Sequence, residues 1–421
     1  MPYFISGVTA DHNDLVARTP AEFKSMNDID VFTRHQVTAI DPDGHTVTVR
    51  DLVSGRERVE PYTRLLLSTG AEAFVPPIEG TGLEGVFTLR RLDDSVRIKK
   101  YIAAARPRRA VIVGAGPIGM EMCESFITLG LEVTVVDMAG QVMQYMSPEM
   151  GAQVQSRIED EAVNCVLGQS VFSIRGKPDG TVEGVVTGAG EIKADLVLLA
   201  IGVRPVSRIA SDAGIELGAK GAIKVDAHMR TSKPDVYSAG DCATTSHIIT
   251  GRQVWIPLGS TSRKQGRAAA DNMFGAPVEF RGVQGTGVVK CFDLTVGRTG
   301  LDKAQATEAG FTPVTISMEA ESLHEYYPGR GVMSLKLLAD GGSGRLLGAE
   351  LVGQLHSVAE KRLDILSVAI TAGMTADDLQ YLDLAYAPPY STAIDIPIIA
   401  GNIMTGKIGG GECGCGPQVL D

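Results

Sequence analysis

The amino-acid sequence predicts an α/β fold that carries a smaller α+β domain toward its C-terminal end. Three observations predict it. Several apolar runs of strand length, among them Ala110–Val113, Ala194–Ile201 and Asp235–Ala239, are followed by a glycine. Unbroken apolar runs are what strands buried on both faces of a mainly parallel sheet require. One of them leads through a glycine turn and a helical stretch into a second apolar run, Glu132–Val136. From Val283 onward the texture changes to that of antiparallel strands.

Length and composition bound the reading. A chain of 421 residues exceeds one ordinary core and suggests several domains. Its 49 glycines and 44% hydrophobic content suit a glycine-rich α/β protein. A formal net charge of −11 argues against nucleic acid or an anionic membrane as the main partner. No apolar run reaches the length of a membrane span, and MPYFISGVTADHND lacks the basic start and apolar core of a signal peptide. The expected location is cytoplasmic. Cysteines stand at 123, 165, 242, 291, 413 and 415, with no CxxC among them. That pattern predicts reduced, mostly buried thiols and no metal site.

Taken in order, the chain opens with a loop and a helix that begins at Pro20. Asp30–Ile40 and Thr46–Val53 read as a hairpin around Asp41-Pro-Asp-Gly44. Tyr62–Ser68 is an apolar strand stopping at Thr69-Gly70, and 75–85 is a connector rich in proline and glycine. Ala110–Val113 then breaks into Gly114-Ala-Gly116-Pro117-Ile118-Gly119, a helix runs to about Leu129, and the next strand ends on Asp137. Gly151–Val163 has helical periodicity, Asn164–Leu167 is a short strand, and Val171–Val186 is a hairpin. After Ala194–Ile201 the chain meets Gly202, and Arg204-Pro205 is expected to turn it outward. Residues 203–225 read as a connector with a short helix. In the last part, Gly287–Phe292, Val314–Met318, Met333–Leu338 and Leu346–Val352 read as strands, with helices Asp302–Ala309 and Ser357–Ala372.

The glycine turn is where chemistry enters. Strand, GxGxxG turn, helix and strand with a terminal acid form the arrangement that binds a dinucleotide. Gly114 permits the tight turn, Gly116 lets backbone approach a pyrophosphate, and Gly119 lets the helix lie close to the strand. The phosphates rest on unpaired N–H groups at the helix start. Asp137 accepts from an adenosine ribose and repels a 2′-phosphate, which favours NADH over NADPH; Met138-Ala139-Gly140 offers no basic residue for that phosphate.

Thr231-Ser-Lys-Pro-Asp-Val-Tyr-Ser-Ala-Gly240-Asp241 resembles the flavin-binding stretch of the pyridine nucleotide–disulfide oxidoreductases. The resemblance runs from Met1 to about Gly406. It implies Rossmann-like FAD and NAD(P)H domains, at 1–108 with 206–282 and at 109–205. A C-terminal α+β dimerisation domain follows at 283–408, then a Gly/Cys-rich tail at 409–421. It implies that Asp241 meets the ribityl chain of FAD. It also implies that the helix start in Ile256-Pro257-Leu258-Gly-Ser-Thr-Ser faces the flavin's pyrimidine edge, and that Glu121 lies near the nicotinamide and flavin. Thr69, Gly70, Gly202 and Gly240, which follow apolar strands, join the cofactor-binding candidates.

Ser322-Leu-His-Glu-Tyr326-Tyr327-Pro-Gly329 and Leu382-Asp-Leu-Ala-Tyr386-Ala-Pro-Pro-Tyr390-Ser391 narrow the match. They resemble the interface domain of the branch of coenzyme A–disulfide reductases, NADH oxidases and NADH-dependent persulfide reductases. That implies a homodimer in which tyrosines from one chain serve the redox site of the other. Tyr326, Tyr327, Tyr386 and Tyr390 are the candidates, as proton donors or substrate-positioning hydroxyls. An amphipathic tyrosine at an interface with a wet hydroxyl is the alternative for each.

The start of the chain departs from that family, which opens with its own GxGxxG unit for FAD and a redox cysteine before Gly-x-Pro-Tyr. Met1-Pro2-Tyr3-Phe4-Ile5-Ser6-Gly7 matches the residues directly after that Cys-Gly pair. The expectation is an FAD domain lacking its N-terminal part and the attacking thiol, through a late coding start, a fragment or a real loss. A chain of this kind would hold FAD weakly, and without the redox cysteine its own turnover is in doubt. Cys413 and Cys415 in the tail admit three readings, a redox pair on a glycine arm, a frayed terminus or a metal-scavenging linker.

The function expected is hydride transfer from NADH to FAD and onward to a disulfide or persulfide such as coenzyme A disulfide. An NADH oxidase or peroxidase, with oxygen or peroxide as acceptor, is the alternative among enzymes. A non-catalytic NADH-binding protein is the alternative from another class.

Overall fold

The computed structural model describes residues 1–410. Cα packing divides it into two compact units. One comprises Met1, Gly7–Phe74 and Gly202–Val283; the other comprises Pro2–Ser6, Val75–Ile201 and the chain from Gln284.

In the first unit, His35–Asp41, Thr46–Asp51 and Glu57–Pro61 form an antiparallel meander. Its third strand, ERVEP, has too little apolar character to be read from sequence. The helix Pro20–Asn27 starts where its proline predicts, and Thr19 and Glu22 close a reciprocal capping box. Leu65–Leu67 pairs in parallel with Val236–Ser238. Ala71–Ala73 pairs antiparallel with Val203–Pro205, so Arg204-Pro205 does not turn outward but continues as a strand. Pro205 is tolerated because it terminates that two-stranded ladder. The helix Gly259–Met273 buries Thr261, Gln265, Ala268, Ala269 and Asn272.

In the second unit, a parallel sheet runs in the order Val86–Thr88, Leu196–Leu199, Arg109–Val113, Glu132–Asp137, Asn164–Leu167. Leu196–Leu199 and Ala110–Val113, inside the sheet, are apolar because both faces are covered; all four residues of Leu196–Leu199 are buried. The stretch 75–108, expected with the first segment, packs here. Val86–Thr88 is one of the sheet's two edge strands, and Leu92–Ala105 is a helix absent from the sequence reading. An antiparallel trio, Val171–Gly176, Val182–Thr187 and Gly190–Lys193, packs through Ile174, Val182 and Val185 into the same core.

The C-terminal part of this unit is a five-stranded antiparallel sheet. Its order is Gly287–Cys291, Leu294–Gly300, Leu346–Gln354, Val332–Asp340, Pro313–Glu321. The helix Ala359–Thr371 covers it with Leu363, Leu366, Ala369 and Ile370, and Ile396–Ile408 packs beside it. Leu294–Gly300 and Ile396–Ile408 were not expected. The first alternates apolar and polar residues only weakly. The second is apolar almost all round, a pattern without helical periodicity.

Candidate active site

The glycine turn of the second unit is built for close backbone approach. Gly114 sits at φ +108°, and a Cβ there would lie 2.5 Å from the Ala200 carbonyl oxygen. A Cβ on Gly119 would collide with the Gly114 carbonyl, so the helix Pro117–Thr128 lies against its own turn. Gly116 is the opposite case: it is extended (φ −81°, ψ −172°), and the space a Cβ would occupy is open. Pro117 takes the first helical position, where its missing N–H costs nothing. No side chain caps the helix, which leaves the amides of Ile118 and Gly119 directed into the cradle in front of Gly116. An anionic pyrophosphate fits that cradle.

Asp137 closes the turn from the neighbouring strand. Its Oδ2 accepts from Ala115 N–H at 2.7 Å and its Oδ1 from Ala139 N–H at 2.8 Å. Bracing the glycine loop is a role that sequence reasoning missed. Each carboxylate oxygen keeps a second lone pair for a ribose hydroxyl. Glu121 lies one helical turn in, where burial pushes its carboxyl pKa up, and the Tyr3 hydroxyl donates to it at 3.5 Å.

In the first unit the flavin-type stretch is braced in the same manner. Gly240 has φ +90° and donates its N–H to Gln265 Oε1 at 3.0 Å. Asp241 Oδ1 accepts from Ser262 Oγ at 2.6 Å, and its carbonyl accepts from Trp255 Nε1 at 2.8 Å. Ser262 belongs to the helix Gly259–Met273, whose start, after Pro257 and Leu258, no side chain caps. A carboxylate for a sugar-like hydroxyl and free helix amides for an electron-rich ring edge therefore stand together, a donor set that fits FAD. Thr69-Gly70 and Gly202 flank a second ladder. Phe74 N–H donates to Gly202 O at 3.0 Å, Val206 N–H to Gly70 O at 2.9 Å, and the Thr69 hydroxyl to Val206 O.

Of the four candidate tyrosines, the structure brings two together. Tyr326 and Tyr386 both meet the His324 ring, and the neighbouring Tyr386 pushes the Tyr326 pKa up. His324 stacks on Tyr326, with ring centroids 5.3 Å apart and planes 11° from parallel, and meets Tyr386 edge-on at 5.9 Å. Among the described residues Tyr327 and Tyr390 stay out of this cluster. The two loops are tied from below by Arg362, whose Nη2 donates to the carbonyls of Ser322 and Tyr390, each at 3.3 Å. Sequence reasoning missed both His324 and Arg362. His324 stood inside a quoted motif, and Arg362 was a charge on the apolar face of its helix.

Of the described cysteines, Cys123, Cys242 and Cys291 are buried and Cys165 is partly buried. Burial pushes Cys165 and Cys291 up to about 12 and Cys123 well above the ordinary thiol value. Such thiols are poor nucleophiles at neutral pH. Cys413 and Cys415 lie outside the described residues. Among the described residues no cluster of His, Cys, Asp and Glu could hold a metal ion, and no helix is long and apolar enough to cross a membrane. A cavity of about 300 Å³ lies between the loop Gln144–Pro148 and the antiparallel sheet, and none of the cofactor-binding candidates lines it.

Comparison with known proteins agrees with this geometry. The family model of the pyridine nucleotide-disulphide oxidoreductases matches residues 3–266, and that of their dimerisation domain matches 287–396. The chain is 35% identical to the NAD(P)H sulfur oxidoreductase (CoA-dependent) of Pyrococcus furiosus, over 96% of this chain and 89% of that protein. It is 36% identical to an NADH oxidase of Methanocaldococcus jannaschii, over 93% of this chain and 86% of that protein. The solved NAD-dependent persulfide reductase from A. fulgidus superposes with a TM-score of 0.93 at 37% identity, covering 97% of this chain and 76% of that one. The chain belongs to the pyridine nucleotide-disulphide oxidoreductase family, enzymes that work with FAD and a nicotinamide nucleotide.

Proposed function

We propose that this oxidoreductase takes a hydride from NADH and delivers the electron pair to a disulfide or persulfide, with coenzyme A disulfide as the small-molecule acceptor. The observation that carries the reading is the pairing, in one chain, of an open glycine cradle at Gly116 with the braced carboxylate of Asp241. The names of the sulfur oxidoreductase and persulfide reductase it resembles support a sulfur acceptor.

Bound FAD supplies the step between the two halves, taking the hydride from the nicotinamide and passing two electrons to sulfur. Gly114, Gly116, Pro117, Ile118 and Gly119 hold the pyrophosphate of NADH, and Asp137 its adenosine ribose. Glu121 lines the nicotinamide end. Asp241, after Gly240, accepts from the ribityl chain, and Pro257 and Leu258 lead into the helix amides at the pyrimidine edge. Thr69, Gly70 and Gly202 shape the flavin's surroundings.

Two electrons and one hydride-borne proton convert a disulfide into a thiol and a thiolate, and a second proton yields two thiols. Tyr326 and Tyr386 relay that second proton. Two copies pair through the dimerisation domain, and the tyrosines of each serve the redox site of the other. Tyr327 and Tyr390 complete the set of hydroxyls at that face.

The test is stopped-flow oxidation of NADH by the purified, FAD-loaded chain with coenzyme A disulfide, polysulfide or oxygen as acceptor. The expected result is reduction of the FAD-loaded chain by NADH and its reoxidation by coenzyme A disulfide, with two thiols released per NADH. Turnover with oxygen alone would make it an NADH oxidase, and NADH binding without any turnover would remove the enzymatic reading.

A further inference from the structure

We propose that His324 is a positioning residue for the acceptor half of the reaction, the plate on which the Tyr326 ring lies and whose edge meets Tyr386. The inference rests on the role given above to these tyrosines. Tyr326 is 67% exposed, and an exposed phenol ordinarily samples several rotamers in water. Here it has a ring partner. The His324 ring lies parallel beneath it, 5.3 Å away and 11° from coplanar, and presents its edge toward Tyr386 at 78°.

The backbone is arranged to keep the ring there. Tyr327 N–H donates to the His324 carbonyl at 2.9 Å, closing a turn that folds Tyr326 back over His324. Arg330 spans the same loop, donating to Glu325 O at 3.0 Å and pairing with Glu321 at 3.1 Å. Arg362 fixes the Ser322 and Tyr390 carbonyls from the buried side. The backbones are therefore held on both sides of the cluster, and the side chain that meets both tyrosine rings is the imidazole between them. A stacked aromatic pair biases its population by a factor between about twofold and about tenfold.

The experiment compares His324→Ala, His324→Phe and Tyr326→Phe in the FAD-loaded dimer. Turnover with coenzyme A disulfide is measured alongside 19F NMR of protein labelled with 3-fluorotyrosine. The ten tyrosines give resolvable signals, and the loss of one in Tyr326→Phe assigns Tyr326. In His324→Ala the expected outcome is a kcat lowered by about threefold to tenfold at unchanged KM for NADH, with the Tyr326 signal moved toward that of a solvated ring. His324→Phe, which keeps the plate and removes the nitrogens, is expected to restore most of both.

Full kcat in His324→Ala alongside a loss in Tyr326→Phe would overturn the role of His324 and leave the tyrosine assignment standing. Equal losses in His324→Ala and His324→Phe would overturn the plate as the cause. Full turnover in Tyr326→Phe would overturn the tyrosine assignment itself, while the NMR signal still reports whether His324 holds that ring.

Discussion

Arg362 and Asp395 form an ion pair with both side chains buried, Nε lying 3.1 Å from Oδ2 and 3.3 Å from Oδ1. The remaining guanidinium donors go to the carbonyls of Ser357, Val358, Ser322 and Tyr390. Asp395 in turn accepts from Ile396 N–H at 2.7 Å and so caps the helix Ile396–Ile408. One planar cation thus joins two helices and both tyrosine loops, which a lysine's single ammonium cannot do. Arg362→Met leaves a buried carboxylate and several carbonyls without partners. The expected cost is about 3–5 kcal/mol, read as a lowered denaturant midpoint. Arg362→Lys should fall between the variant and the parent, and a Lys variant as stable as the parent would show that the fork geometry does not matter.

Two glycines of the same turn should respond in opposite ways. Gly119 packs on the Gly114 carbonyl, so Gly119→Ala forces helix and turn apart. An overpacked site of this kind costs about 1–3 kcal/mol. Gly116 faces open space at a φ any residue adopts, so Gly116→Val should fold with an unchanged melting temperature. Its branched side chain would instead fill the cradle and weaken NADH binding by at least about tenfold, a loss of roughly 1.4 kcal/mol or more. Calorimetric titration with NADH and thermal melts of both variants separate the two effects. Equal affinity in Gly116→Val would remove the cradle as the nucleotide's seat.

How legible this was follows from local physics. The dinucleotide corner could be read because each of its parts is local: a strand, a positive-φ glycine, an N1 proline and a terminal acid within one short stretch. The antiparallel domain was readable where strands alternated. Glu57–Pro61 and Val86–Thr88 were not: the first is a charged edge strand beside Thr46–Asp51, and the second pairs with Leu196–Leu199 far along the chain. Arg362 left a visible trace, a cation among Ala359, Leu363, Leu366 and Ile370. Only the fold shows that its partners come from residues 322, 357, 358, 390 and 395. His324 and Tyr386 are likewise brought together by tertiary structure, across a separation no local pattern spans.

Asp137 acts on the turn as well as on the ribose, and its variants should show both. Asp137→Ala removes acceptors from Ala115 and Ala139 N–H. Two lost charge-assisted hydrogen bonds near the cradle predict a drop in NADH affinity of about tenfold, beyond any gain for NADPH. Asp137→Asn, with one acceptor oxygen, should lose less for NADH while relaxing discrimination against NADPH. Dissociation constants for both nucleotides in both variants decide the matter. A ratio that stays constant would confine Asp137 to bracing the loop.

Asp195 gives the fold a titratable staple at the start of its parallel sheet. Its Oδ1 accepts from Arg109 Nη2 at 2.8 Å, and its Oδ2 from the backbone N–H groups of Arg108 and Arg109 at 3.1 and 3.0 Å. The Arg109 side chain, ahead of those amides, holds its carboxyl pKa below the ordinary carboxylate value. A carboxylate depressed on folding stabilises the native state above its unfolded pKa of about 3.9, and that contribution is lost as pH falls through the lower folded value. The pair is partly exposed, so solvent screens it, and Asp195→Asn should cost only about 1 kcal/mol at neutral pH. Denaturant midpoints for the parent and Asp195→Asn should therefore differ at pH 7, hold that difference to about pH 4, and converge below it. A gap that persists unchanged at the acid end would mean that side-chain shape, and not the charge of Asp195, joins Leu196–Leu199 to Arg109–Val113.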